Sequence, residues 1–301
     1  KKLNIMPKAD SIVLDDAVAE GIASAINVAP NNSLYSPYIR HPFPIGLWVY
    51  NHWSDSAGGL KGWLYNKLVE TPVTIDNVRP AHRVDMINTI LHDNGYFDSN
   101  SSYELVYSSK NKKKARIRYD VIVNEPYVLS SVGYLGGSSE IVMKIDSLAR
   151  RNSYLKPGSR YSLDSLNAVR VGITNVLRNR GYYYFRPEYI EYLADSSLRK
   201  GKIALRLAMA AGIPEAALRK YTVGNVTTTV NRYQGGGEAD TVELPRKGTL
   251  VKMTPLRLKD SFIAKKISFR EGRVFSVRDM DRTQSNLSAT GLFNAINIEV
   301  T

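Results

Sequence analysis

The chain has 301 residues, 43% of them apolar and 23% charged, and no cysteine, which excludes disulfides, thiolate metal sites and thiol catalysis. Forty-one Lys and Arg against 28 Asp and Glu leave a net charge of +13, which suits nucleic acid, anionic lipid or acidic protein partners without choosing among them. No run approaches the roughly 20 apolar residues that a membrane-spanning helix needs. The N-terminus, KKLNIMPKAD, has no apolar core followed by a small-residue cleavage site, so the chain reads as cytosolic or already processed.

In chain order, residues 3 to 6 read as a strand and 14 to 27 as a helix, with Val18, Ile22 and Ala25 or Ile26 on one face. Residues 30 to 79 form a long aromatic insertion holding all three tryptophans. A helix ending at Gly95 follows, then a hairpin of strands 103–107 and 115–123, in which Ala115, Ile117, Tyr119, Val121 and Val123 share a face. A second series begins with a strand at 127–134 and a helix at 140–150 behind Ser138 or Ser139. It continues with a helix capped by Ser162, which ends at Gly181, and a hairpin of strands 188–193 and 203–209. A third comprises a strand at 221–230, a short helix after Thr254-Pro255, a helix from Ser276 to Gly291, and a strand carrying Ile296, Ile298 and Val300.

One phrase recurs: NTILHDNGYFDS at 88–99, TNVLRNRGYYYF at 174–185 and SNLSATGLFNAI at 285–296. In each copy a leucine (Leu91, Leu177, Leu287) lies four residues before a glycine (Gly95, Gly181, Gly291), and an apolar or aromatic pair follows. The leucine belongs to the last helical turn. The glycine takes the left-handed position that ends the helix, and the residue after it folds back over that turn. Copies two and three also share a helix start, Gly-x-x-aromatic-Ser, in PGSRYSLDSL and EGRVFSVRDM, with Asp164 or Asp279 in the first turn. The cap-to-glycine distances, 19 and 15 residues, predict a third helix about one turn shorter; in the divergent first copy Asp76 lies 19 residues before Gly95.

The repeated unit is β-α-α-β-β, a three-stranded sheet covered on one face by two helices, and the fold class is α+β. Its expected divisions are 1–126, with the insertion 30–79, then 127–212 and 213–301, the last strand incomplete.

These motifs, in this order, resemble the POTRA domains of the BamA/TamA outer-membrane assembly family. The stretch PNNSLYSPYIRHPFPIGLWVYN (30–51) resembles an insertion of TamA-like proteins from Bacteroidetes. The resemblance implies a periplasmic scaffold. It would be attached to the outer membrane through a β-barrel after the last repeat, with an N-terminal lipid anchor as a further expectation. The implied function is to take up unfolded outer-membrane protein clients at sheet edges, by β-augmentation, and hand them to the barrel. A periplasmic partner, TamB-like or an assembly lipoprotein, is implied as well. Three repeats favour TamA-like over BamA-like. The alternative is a basic adaptor for nucleic acid or anionic lipid.

The candidate peptide-binding edge comprises Tyr103, Leu105 and Tyr107 in one unit and Glu188, Tyr189, Ile190 and Tyr192 in the next, against the reading of a solvated, charge-protected edge. Lys110, Lys112, Lys113 and Lys114 crowd a hairpin turn, with Arg116 and Arg118 on the outward face beyond; they suit a solvated turn or a contact to lipid headgroups or an acidic partner. Base stacking needs aromatics on that same face, and Tyr119 points the other way, so nucleic acid is not expected. Trp48, Trp53 and Trp63 suit either an ordered lid or a contact to a membrane interface or partner. His41, His52, His82 and His92 show no metal-ligand spacing, the Gly-Gly-Gly at 235–237 lacks a following Gly-Lys, and no Gly-x-Ser-x-Gly occurs. Neither catalysis nor a cofactor is expected.

Overall fold

A computed structural model of the chain describes residues 1–9, 12–34, 36–53, 58–109, 114–197, 199–230, 244–246, 249–253 and 260–300. The chain divides into two compact units, Lys1–Val128 with Arg160–Asp164, and Leu129–Ser159 with Ser165–Thr301. No helix among the described residues is long and apolar enough to cross a membrane.

The first unit runs β1 (Lys2–Pro7), α1 (Asp16–Ala25), β2 (Ser33–Leu34), β3 (Ser36–Arg40), α2 (Ile45–His52), α3 (Gly59–Leu68), α4 (Ile75–Val78), α5 (Pro80–Asp93), β4 (Asn100–Tyr107) and β5 (Ala115–Val123). Its sheet has the order β1-β5-β4, with β5 parallel to β1 and antiparallel to β4. The period-2 pattern of β5 puts Ile117, Tyr119, Val121 and Val123 on the helix side, where they meet Val18 and Ile22 of α1 and Ile87 and Leu91 of α5. Each such aliphatic side chain contributes about 1.5–3 kcal/mol on burial. The opposite face carries a polar ladder. Asn4 Nδ2 donates to Asp120 Oδ1 (2.8 Å), and Arg118 bridges Asp120 (3.0 Å) and Glu104 (2.5 Å). Chiefly the Asn4 hydrogen bond holds the Asp120 carboxyl below its ordinary range, with Arg118 adding to it. The helix that ends at Gly95 is shorter than the Asp76 spacing predicts. Arg79 adopts a left-handed conformation (φ 48°), so Asp76 falls in the one-turn α4, and α5 restarts with Pro80 in its first turn.

The elements that follow are β6 (Val128–Gly133), α6 (Glu140–Arg151), α7 (Leu163–Arg178), β7 (Ile190–Asp195), β8 (Lys202–Met209), β9 (Val226–Val230), β10 (Leu244–Arg246), β11 (Thr249–Met253), α8 (Asp260–Lys266) and α9 (Val277–Ser288). The order β6-β8-β7 repeats that of the first sheet. Ile203, Leu205 and Leu207 of β8 are buried, as are Ile141 and Ile145 of α6 and Leu166, Val169, Ile173 and Leu177 of α7. Buried Asp146 accepts the N–H groups of Leu135 and Gly136 (both 2.9 Å), fixing the turn ahead of α6.

The third repeat departs from expectation. Residues 296–300 form no strand, and β10 pairs antiparallel with β11, which pairs parallel with β9. β11 thus takes the place β5 has beside β1, and β10 the edge place of β4, to which a strand at 296–300 would correspond. That edge is filled from the sequence ahead of the helices. The 221–230 strand shortens to β9, and Thr254-Pro255 and the 235–237 glycines lie outside the described residues.

The three glycine stops form as expected, at φ 83° (Gly95), 99° (Gly181) and 65° (Gly291). At the first, Tyr96 N–H donates to Leu91 O (2.9 Å) and Gly95 N–H to His92 O (3.0 Å), the paired closure that satisfies the last carbonyls of a helix. Leu91 and Leu177 are fully buried, and Tyr96 and Tyr182 fold back into the interior. In the third copy Leu292 is 54% exposed and Phe293 packs inward, against Val230 and Ile263.

The helix-stop and helix-start motifs also meet each other. Tyr127 N–H donates to Gly95 O (2.8 Å) and Tyr161 N–H to Tyr127 O (2.9 Å), with Phe97 edge-on to the ring of Tyr127 and tilted against that of Tyr161. The same chain of bonds returns as Tyr221 to Gly181 O (2.9 Å) and Phe275 to Tyr221 O (3.0 Å), with Tyr183 against Phe275 and Tyr184 against Tyr221. Thus each of these two stops is bonded to the tyrosine ahead of the next first strand, and that tyrosine to the next helix start. Ser276 makes no side-chain cap of its own helix. The side chain of Asn179, the residue directly after α7, accepts the N–H of Arg278 (2.8 Å) and the hydroxyl of Ser276 (3.1 Å).

Candidate functional site

The candidate site is a pair of sheet edges, and its chemistry is that of backbone groups. On β4 the pairing runs without a bulge from Asn100↔Ile122 to Tyr107↔Ala115. Beyond it, Ser108 N–H donates to Lys114 O (2.9 Å), so 108 and 114 form a hydrogen-bonded pair. Antiparallel pairs alternate, so Val106, Glu104 and Ser102 bond inward to β5, while Tyr107, Leu105, Tyr103 and Ser101 direct their N–H and C=O to the free edge. Ser101 verifies the parity: its N–H is taken by Asn88 Oδ1 of α5 (2.8 Å). Asn88 therefore plugs the first edge position and leaves the run Tyr103, Leu105, Tyr107 open.

Those three are also on the helix side of the sheet, opposite Tyr119, Ile117 and Ala115. Leu105 packs on the core, whereas Tyr103 is 41% and Tyr107 57% exposed. An extended segment laid beside β4 would meet Tyr103 and Tyr107 on that side and Val106 (43% exposed) on the other. The usual defences of an edge are proline, bulges and inward charges. Between Ser102 and Tyr107 there is no proline, and the one charge, Glu104, points outward and is engaged by Arg118.

The second edge shares this plan with a shift in its residues. Ala210 N–H donates to Tyr189 O (3.1 Å), so Glu191, Leu193 and Asp195 bond inward and Ile190, Tyr192 and Ala194 face the edge. Glu188 and Tyr189 are not edge residues. They sit in a 3-10 turn, Pro187–Tyr189, and Pro187 is the reason the strand starts at Ile190. Tyr192 is anchored, its hydroxyl donating to Leu166 O (3.1 Å), and burial pushes its phenol up to about 12, against the opposing pull of Arg170. Ile190 is fully buried, so this edge offers less side-chain surface than β4.

Lys110, Lys112 and Lys113 lie outside the described residues; Lys114 and Arg116 are exposed beside them. The insertion is closed at its base by Asn31, whose side chain donates to Val73 O (3.1 Å) and accepts Val73 N–H (2.6 Å). Buried Gly46 lets α2 approach the chain after α3: a Cβ there would lie 2.7 Å from the Glu70 side chain. Trp48 (39%) and Trp63 (57%) are exposed, whereas Trp53 is half-buried against Trp48. No group of three or more His, Asp or Glu placed to share a metal ion occurs among the described residues.

Sequence reasoning read 103–107 and 188–193 as strands and took them as edges from the strand order of such a unit. It missed Asn88, which reads as one more polar helix residue, and Asn179, which caps a helix 99 residues away.

No protein-family model and no curated protein matches the chain. Among solved structures it is similar to POTRA domains 3–5 of Haemophilus influenzae BamA, at 16% identity and TM-score 0.41, over 98% of this chain and 87% of that one. POTRA domains 1–3 of Omp85 from Anabaena match over 98% and 86%, at 15% identity and TM-score 0.32. The N-terminal domain of Omp85 from Thermosynechococcus elongatus matches over 80% and 83%, at 16% identity and TM-score 0.26. With TM-scores below 0.5, these superpositions carry no weight of their own.

Proposed function

We propose that the chain is the periplasmic scaffold of an outer-membrane protein assembly factor of the BamA/TamA kind, built from three POTRA-like repeats divided near residues 126 and 212. Its clients are extended segments of unfolded outer-membrane proteins, which add as a strand to β4, and to β7 in the next repeat, and are handed to a C-terminal β-barrel. A TamB-like protein or an assembly lipoprotein is the partner this reading expects. The observation that carries it is the open run at Tyr103, Leu105 and Tyr107, where unpaired backbone groups coincide with exposed aromatic side chains. Backbone pairing reads little sequence, and barrel strands alternate apolar and polar residues, so such an edge takes many clients of that one class.

The edge parity supplies the test. Tyr103→Pro removes an N–H that faces the free edge, whereas Glu104→Pro removes one bonded to β5. Tyr103→Pro is expected to keep the fold and weaken binding of an alternating apolar peptide at least tenfold by fluorescence anisotropy. Glu104→Pro is expected to cost about 3 kcal/mol in urea unfolding, one ladder bond plus a stranded carbonyl. Full peptide affinity in a folded Tyr103→Pro protein would overturn the site on β4. A steep loss of peptide binding with salt would instead favour the basic-adaptor alternative, because pairing of neutral backbone groups is only weakly screened.

A further inference from the structure

The insertion contains two helices whose composition and exposure disagree. α2 (IGLWVYNH) is mostly apolar, and α3 (GLKGWLYNKL) mixes large apolar and aromatic side chains with Lys61, Asn66 and Lys67. Yet α2 buries Gly46 and Val49 alone, and α3 buries Gly62 alone. The two pack on each other, with α2 also on β2, and none of their residues enters the core that α1, α5 and the sheet build. What remains outside is Phe43 (53% exposed), Trp48, Tyr50 (43%), Leu60 (73%) and Trp63. An ordered lid would bury these side chains, so the exposures argue against the lid reading.

The charge around them is mixed with a positive excess. Residues 36–70 hold three cationic side chains, Arg40, Lys61 and Lys67, against two acids, Asp55 and Glu70, and neither helix contains an Asp or Glu. Two of the cations lie over tryptophan rings, Lys61 Nζ 5.7 Å from Trp53 and Lys67 Nζ 5.9 Å from Trp63. Aromatic rings with polar tips beside lysines that reach outward suit the boundary between headgroups and acyl chains of a bilayer. At 8 and 10 residues the helices are about 12 and 15 Å long, too short to cross the roughly 30 Å hydrocarbon layer and suited to lying at its edge.

We propose that the α2–α3 hairpin is a membrane-docking element that seats Trp48, Trp63, Tyr50 and Leu60 in the interface of an anionic lipid surface, with Lys61 and Lys67 on its headgroups. It stands apart from the client edge on β4. Docking restricts the first unit to the neighbourhood of a membrane, whichever anchors the complete protein has.

All three tryptophans lie in the insertion, so tryptophan emission, excited selectively over the 19 tyrosines, reports on this element alone. The test uses vesicles of neutral phosphatidylcholine with and without 30% phosphatidylglycerol, some carrying brominated acyl chains. Anionic vesicles are expected to give a blue shift and strong quenching by shallow bromines. Combined Trp48→Ser and Trp63→Ser, or combined Lys61→Ser and Lys67→Ser, should weaken partitioning at least tenfold, with peptide binding at β4 unchanged. Vesicle binding without a blue shift or quenching would mean that other basic surfaces adsorb the protein, and would overturn the proposal. So would the absence of vesicle binding, or full binding by both double variants. Peptide binding at β4 is read separately, so loss of either function leaves the other measurable.

Discussion

Gly95 and Gly291 end helices with the same signal and the same left-handed backbone, yet their surroundings differ. A Cβ on Gly95 would lie 2.8 Å from the carbonyl oxygen of Tyr161, and one on Gly181 would meet Val274 at 3.0 Å and the Tyr221 carbonyl at 3.1 Å. A Cβ on Gly291 would meet nothing within 4 Å. The first two glycines therefore satisfy two demands, a positive φ and the close approach of a later segment of the chain, whereas at Gly291 the described residues impose only the positive φ. Tyr96 and Leu292 show the same split, one buried at 1% exposure and the other open at 54%. A single recurring phrase thus encodes a local helix stop everywhere, and an interlock only where a following Tyr and Gly-x-x-aromatic-Ser arrive to use it.

The sharpest way to break this comparison is to remove the ring that completes the second interlock. Phe275→Ala should destabilise by about 4 kcal/mol in denaturant unfolding, since Phe275 is 5% exposed and packs on Tyr183. Gly95→Ala should cost about 3 kcal/mol, the left-handed strain of an ordinary residue plus a backbone shift to clear Tyr161. Asn179→Ala should cost about 1 kcal/mol, the usual worth of a helix cap, and increase amide hydrogen exchange at Arg278. Gly291→Ala should have the smallest effect, about 1 kcal/mol, because only the backbone conformation is at stake. Equal costs at Gly95 and Gly291 would show that the interlock contributes nothing.

Within unit 1, the three strands of the main sheet, α1, the end of α5 and the core face were legible because each follows a short-range period, whereas β2, β3, α2 and α3 of the insertion were not read. Ile117, Tyr119, Val121 and Val123 alternate, and Val18, Ile22, Ile87 and Leu91 recur at helical spacing. Departures come where the deciding neighbour is distant or competes. Pro187 delays β7, the left-handed Arg79 cuts the helix that Asp76 would have begun, and β10 fills the edge place expected for a strand at 296–300. Ser276 looks like a cap, but a side chain from the preceding helix end performs that task. Of the edge residues, Tyr103, Leu105, Tyr107, Ile190 and Tyr192 fall where the alternation places them. Glu188 and Tyr189 do not.

By itself the sequence determined where helices stop, which faces are apolar and that one unit recurs, because glycine conformation and side-chain period act within a few residues. Only the tertiary structure decided which backbone groups of β4 stay open, which glycines lie against a neighbouring chain segment and which aromatics of the insertion remain in solvent. Those outcomes depend on hydrogen-bond parity and on contacts with distant parts of the chain, and neither is written in any local stretch of residues.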